Sequence, residues 1–305
     1  MFQSVLFFAL FQIYTNGEKF DPKKVNYCKL FCGKSPSSGC DCKQRGSRTE
    51  VLEKFVEFRQ LCIDEHNHWR NYFASGDERR SYNREVADMM VMNYNLELEF
   101  LARCYGRSFF SGTHDNCRKM HNGVRAAQNI AGLSIKDFSF KRVKTQIKHW
   151  YDGVGEMNWK LYDEYRTSDI KVEHFATFIS GAANILGCAR IYASNTKKDG
   201  FLDPDFVQTL ICNYAAKDIE GNISLPGYPI NTKGKACSKC PKKFPCHKKN
   251  EYKYLCGKLE PIPKDPPYDF EPKKKDRKKK RNNSGILKNN SVLIILFLLC
   301  LFYKP

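Results

Sequence analysis

His174 lies in VEHFATFISGAANILGCAR (residues 172–190), among aromatic and β-branched residues and just ahead of an apolar run that contains Cys188. An imidazole there can ligate a metal, shuttle a proton near neutral pH, or fill a core as a hydrogen-bonded neutral ring. Hydrolysis would need a base with a nucleophile, or a metal-activated water. The chain has no HExxH, no GxSxG and no phosphate-cradling glycine loop. The other chemically capable set is its 14 cysteines.

The setting of those cysteines decides their chemistry. Residues 1–17, MFQSVLFFALFQIYTNG, place a continuous apolar run before Thr15 and Gly17 and read as a secretory signal peptide, too short to cross a bilayer. Behind such a leader the cysteines pair as disulfides in an oxidising compartment, and paired sulfurs are not nucleophiles. Cys300 sits in a separate apolar tail, so 13 remain. An odd number implies a free thiol, an intermolecular bond, or a role for the tail cysteine.

The elements that must position these groups follow from periodicity. Residues 18–48 are rich in Cys, Gly and Ser and form a disulfide-stapled extension. Val51, Phe55, Phe58 and Cys62 share one face of a first helix, which Gly76 and Asp77 end. Tyr94, Leu98, Leu101, Ala102 and Tyr105 mark a second helix; Val143, Ile147, Trp150 and Val154 mark a third. Two strand-like runs follow, NILGCARIYA and FVQTLICNYA, whose Cys188 and Cys212 can bridge if the strands pair face to face. Helices followed by a strand pair make an α+β domain over 49–226, not a βαβ alternation. A small cysteine-rich hinge covers 227–258, where Cys237, Cys240, Cys246 and Cys256 read as two disulfides in preference to a zinc knuckle with His247.

Charge and tail composition bound the partners. The net charge is +18, and residues 232–282 carry +12 of it. The rest of the chain is therefore only mildly basic, which argues against a general nucleic-acid surface. Residues 259–290, rich in Pro and Lys, have little to bury and read as a disordered stalk. Their KKKDRKKKR run (273–281) would attract sulfated glycans or anionic headgroups, or offer a dibasic processing site. The tail 291–305 has too few apolar residues to span a membrane and, after Asn283–Ser284–Gly285, resembles a GPI-attachment signal with a short spacer. NxS sequons stand at Asn222, Asn282 and Asn289.

A set of motifs in fixed order then resembles one family. NYCKLFC (26–32), EHNHWR (65–70), NYNLELEFLARCY (93–105), HDNCR (114–118), QNIAG (128–132), HWYDGVGEMN (149–158), EHFATFISGAANILGCA (173–189) and LICNYAAKDIEGN (210–222) are similar to segments of the CAP superfamily. That superfamily takes in cysteine-rich secretory, antigen 5 and class 1 pathogenesis-related proteins, and insect antigen 5-like venom allergens are the nearest likeness. The resemblance implies an α–β–α sandwich followed by a cysteine-rich hinge. It implies bridges Cys188–Cys212 and Cys32–Cys117. A family cysteine near Phe110 is missing, and Cys62 and Cys104 lie on two helices expected to pack, so a bridge between them is expected instead.

The resemblance also implies a central cleft of two histidines and two acids that holds a divalent metal in many members. His114 and His174 take the histidine positions, but Gln128 and Gly153 stand where the acids belong. A two-histidine remnant lacks two ligands and the charge that balances the metal. The expectation is a degenerate cleft with no cofactor, in a secreted non-enzymatic protein that binds a protein, lipid or anionic glycan, free or GPI-anchored at the cell surface. The alternative is a divalent-metal-dependent hydrolase or protease using His114 and His174.

Overall fold

The computed structural model describes residues 20–45, 48–80, 84–108, 113–135, 137, 139–166, 170–193, 207–218, 228–246 and 251–271. The leader, the three sequons, His247, the KKKDRKKKR run and the apolar tail lie outside the described residues.

A hairpin of β1 (Phe31–Cys32) and β2 (Ser35–Pro36) opens the chain, followed by β3 (Arg48–Glu50) and helix α1 (Phe55–Ala74). Helix α1 starts four residues later than its apolar face predicts. Lys54 adopts a left-handed backbone (φ 50°), which cannot continue a right-handed helix. Next come β4 (Asn93–Tyr94), α2 (Leu96–Ser108), β5 (Ala127–Leu133), α3 (Phe140–Asp152), the short α4 (Trp159–Asp163) and α5 (Ile170–Phe178). Two long strands, β6 (Ile185–Ala193) and β7 (Val207–Ala215), complete the described elements of the domain.

The sheet runs β3-β6-β7-β5, with β4 pairing in parallel along β6. Strands β6 and β7 are antiparallel and set Cys188 opposite Cys212, whose disulfide joins Cα atoms 4.2 Å apart. Side chains alternate across a strand, so the two faces build different cores. Leu186, Cys188, Leu210, Cys212 and Tyr214 face the core made by α1, α3 and α5. Ala189, Ile191 and Ile211 face the other way, onto Ala102 and Tyr105 of α2. Helix α2 sits close enough to β6 that a Cβ on Gly187 would stand 2.2 Å from the Glu99 amide nitrogen, so only glycine fits there.

Disulfides tie the remaining segments down. Cys28–Cys40, Cys32–Cys117 and Cys42–Cys104 fasten the extension; Cys237–Cys246 and Cys240–Cys256 staple the hinge. The expected Cys62–Cys104 bridge is not formed. Cys104 on α2 pairs with the extension's Cys42, while Cys62 is a free, fully buried thiol on the α1 side of the sheet. Its sulfur lies within 4.8 Å of both sulfurs of the Cys188–Cys212 bridge, and burial raises its pKa well above the ordinary thiol value. Cys62 thus accounts for the odd cysteine.

Two expected boundaries also change. Hinge residues interleave with the domain: Ala87 N–H donates to Thr232 O, Cys256 N–H to Met89 O and Val91 N–H to Cys256 O. One compact unit therefore reaches Tyr268. The first ten residues of the expected stalk, 259–268, are a strap packed on that unit. Prolines bring carbonyls without N–H groups, and two buried arginines supply the donors: Arg59 Nη1 to Pro263 O and Asp265 O (2.7 Å each) and Arg103 Nη1 to Tyr268 O (2.8 Å). Asp269 begins a second unit, in which Glu271 N–H donates to Asp269 Oδ1.

Candidate functional site

The cleft is built from four elements. His114 and Asp115 lie on the loop that Cys117 anchors to the extension; Gln128 and Asn129 are on β5, Asn213 and Tyr214 on β7, and His174 on α5. Register brings Gln128 opposite Asn213 and Ala127 opposite Tyr214. Strand β5 carries Asn, Gln and Gly in place of clean apolar alternation, so only its motif is visible in the sequence.

Gln128 is buried and fully engaged. Its Oε1 accepts from the Asp115 N–H (3.0 Å) and lies 3.2 Å from His114 Nδ1, while its Nε2 donates to Asn213 Oδ1 (3.0 Å). Asn213 Nδ2 donates in turn to Leu98 O at 3.3 Å. A carboxamide oxygen only accepts, so the proton between Gln128 and His114 sits on Nδ1 and leaves Nε2 as the ligating atom. Burial lowers the His114 pKa, which keeps the ring neutral; Asp115 and Glu173 pull the other way.

Gly153, which the resemblance puts at the second acid position, has no room for a side chain. It opens the 3-10 turn Gly153–Glu156 after α3, where α5 packs on it. A Cβ at that position would stand 2.3 Å from Lys171 O and 3.1 Å from Phe175 Cβ. A Gly153→Ala variant is expected to lose about 1–3 kcal/mol, because the obstacle is helix backbone that cannot rotate away. A Tm equal to wild type in a thermal melt would show that α5 moves freely there.

His174 is 9% exposed, its ring 6.4 Å from that of Trp150, and its carbonyl accepts from Asn129 Nδ2 at 3.0 Å. A cavity of about 250 Å³ is walled by His114, Asp115, Tyr105 and Ser35–Ser38 of the extension, and His174 does not line it. Among the described residues, the groups of three potential ligands within 4.8 Å are Cys62–Cys188–Cys212 and Cys237–Cys240–Cys256; neither includes a histidine. Both contain disulfide sulfurs, which are poor ligands. The donor set at the cleft does not fit a tetrahedral divalent metal: one acid position is an amide already bonded, and the other is closed by backbone.

Beneath the cleft lies a polar network on α1 that residue typing alone does not single out. His66 Nδ1 is 2.6 Å from Cys62 O and its Nε2 is 2.9 Å from Tyr214 Oη, with the ring stacked on Phe178 at 4.5 Å. Nδ1 must carry the proton, since a carbonyl only accepts, and Nε2 then accepts from the tyrosine. One turn on, Arg70 is fully buried and spends all its donors on main-chain carbonyls of Met90, Phe178, Ser180 and Ala183. Both residues belong to the EHNHWR motif, whose signal was family likeness, not chemistry.

Residues 63–214 match the model of the cysteine-rich secretory protein (CAP) family. Venom allergen-1 of Aedes aegypti is 24% identical over 249 residues, covering 78% of this chain and 89% of that protein. Venom allergen 5.01 of Dolichovespula maculata is 27% identical over 198 residues, covering 62% and 83%. Among solved structures, the crystal structure of Na-ASP-1 superposes with a TM-score of 0.51 at 18% identity. That alignment covers 72% of this chain and 56% of the other, so the chain spans little over half of that longer protein.

Proposed function

Because the chain belongs to the CAP superfamily, with venom allergens among its relatives, we propose that it is a secreted, non-catalytic binding protein whose ancestral metal cleft has been converted into a structural hydrogen-bond network. The observation that carries this reading is the bridging amide of Gln128, which holds His114 and Asn213 where a carboxylate would hold a metal. The closed position at Gly153 supports it. Six disulfides suit an extracellular, oxidising location. Its partner is a protein, a lipid or an anionic glycan, the last favoured by the basic run at 273–281. The leader directs it outward, and the GPI-like tail is the route by which it would stay at the cell surface.

Zinc titration of the metal-free, full-length protein by calorimetry tests the cleft. No stoichiometric uptake at micromolar zinc is expected. Uptake of one equivalent that disappears in the His114→Ala, His174→Ala double variant would reinstate the metal-dependent hydrolase.

A further inference from the structure

A second cavity, with no histidine in its lining, lies between the start of the extension, the N-terminal turns of α2 and the strap. It has a volume of about 380 Å³, inside the range of roughly 300–1,000 Å³ found for small-molecule sites. Its walls are aromatic and cyclic. The Phe100 ring stands 5.9 Å from that of Phe20 and 5.5 Å, edge-on, from that of Tyr268, while Pro266, Pro267 and Leu96 close the sides.

The charges on the floor are already paired. Arg59 grips Glu99 through two nitrogens, Nε to Oε2 at 2.7 Å and Nη2 to Oε1 at 2.8 Å, and Glu50 is shared by Arg103 at 2.6 Å and Arg107 at 2.8 Å. At the rim, Asp21 Oδ1 accepts from the Lys23 N–H, and neither Lys24 nor Asp265 is free. On the floor an ionic ligand would have to displace a partner from a buried ion pair, which is costly. A flat, uncharged ligand would gain ring-on-ring contact on several sides without disturbing any pair.

We infer that this cavity is a binding site for a small neutral aromatic molecule of one or two fused rings. The assignment deepens the reading of the chain as a binding protein, and it uses walls from both terminal segments, so the site exists only where extension and strap are both docked. The strap is held through its main chain by Arg59 and Arg103, and the Tyr268 ring meets Phe100 edge-on.

The test uses the full-length protein and the fluorescent neutral probe N-phenyl-1-naphthylamine. Saturable one-to-one enhancement in the micromolar range is expected, with displacement by 2-naphthol and at least tenfold weaker displacement by naphthalene-2-sulfonate. Leu96→Trp, which fills the cavity, should weaken the probe at least tenfold. Tyr268→Ala, on the surface strap, should weaken it about fivefold, and the exposed Trp159→Ser should leave it unchanged. Circular dichroism melts confirm that each variant is folded. No saturable signal, equal competition by the sulfonate, or full binding in both folded cavity variants would overturn the assignment. Such a failure leaves the zinc titration to judge the non-catalytic reading on its own.

Discussion

Replacing Arg70 with methionine is expected to lower the free energy of unfolding by at least about 3 kcal/mol. The five guanidinium N–H groups are spread over four carbonyl oxygens: Met90 O takes Nε and Nη2, Phe178 O and Ser180 O share Nη1, and Ala183 O takes Nη2, at 2.8–3.1 Å. No other side chain offers five donors in a rigid fork. Methionine would fill the volume but strand several buried carbonyls, each costing about 1–3 kcal/mol. Burial drags the Arg70 pKa down to about 9 against the opposing pull of Asp88, so the fold keeps a cation there at neutral pH through carbonyl dipoles. Arg70→Lys, with three donors on a flexible stem, should recover only part of the loss. Urea unfolding with disulfides intact measures both. A methionine variant within 1 kcal/mol of wild type would mean that water or local rearrangement satisfies those carbonyls.

Acid should destabilise the protein well before its carboxylates titrate. His66 is wholly buried, and burial lowers its pKa from 6.5 to about 3. Below pH 6.5 the unfolded chain takes up a proton that the folded chain refuses, so stability is full above that value and falls as pH drops toward 3. The slope approaches 1.4 kcal/mol per pH unit. His114, also lowered by burial, adds a loss of the same sign. Glu78 enters later: burial would raise it, but hydrogen bonds from Arg80 and Tyr151 hold it at about 2, so its contribution is lost only below the ordinary carboxylate value of 4.5. Urea midpoints between pH 6.5 and 4.5 therefore isolate the histidines. His66→Gln should flatten most of that slope. An unchanged slope in the variant would assign the acid sensitivity elsewhere.

Those two residues sit in a segment that was legible as a motif and opaque as chemistry. EHNHWR announces a helix by its position and a family by its letters, yet nothing in it says that His66 will meet Tyr214 or that Arg70 will meet Ser180 and Ala183. The partners lie more than 100 residues downstream, and their approach depends on how α1 crosses the sheet.

What the sequence by itself determined is local or residue-typed. The cores of α1, α2 and α3 and the runs of β6 and β7 follow from apolar periodicity, because one buried face repeats at the period of its own element. The absence of acids at 128 and 153 is a matter of letters, and it removes the metal's charge balance whatever the geometry. Tertiary structure decided the rest. Cys62 and Cys104 could be placed on helices, but the sheet lies between their side chains, so one joins Cys42 and the other stays reduced against a strand bridge. Residues 259–268 looked solvated because prolines carry no apolar pattern, yet their bare carbonyls answer two buried arginines. Gly153 could be read as a missing ligand, but only the packed α5 backbone shows that none could be restored there. Periodicity reports which face of an element is buried. Which distant group that face will meet depends on long-range packing, which no local pattern encodes.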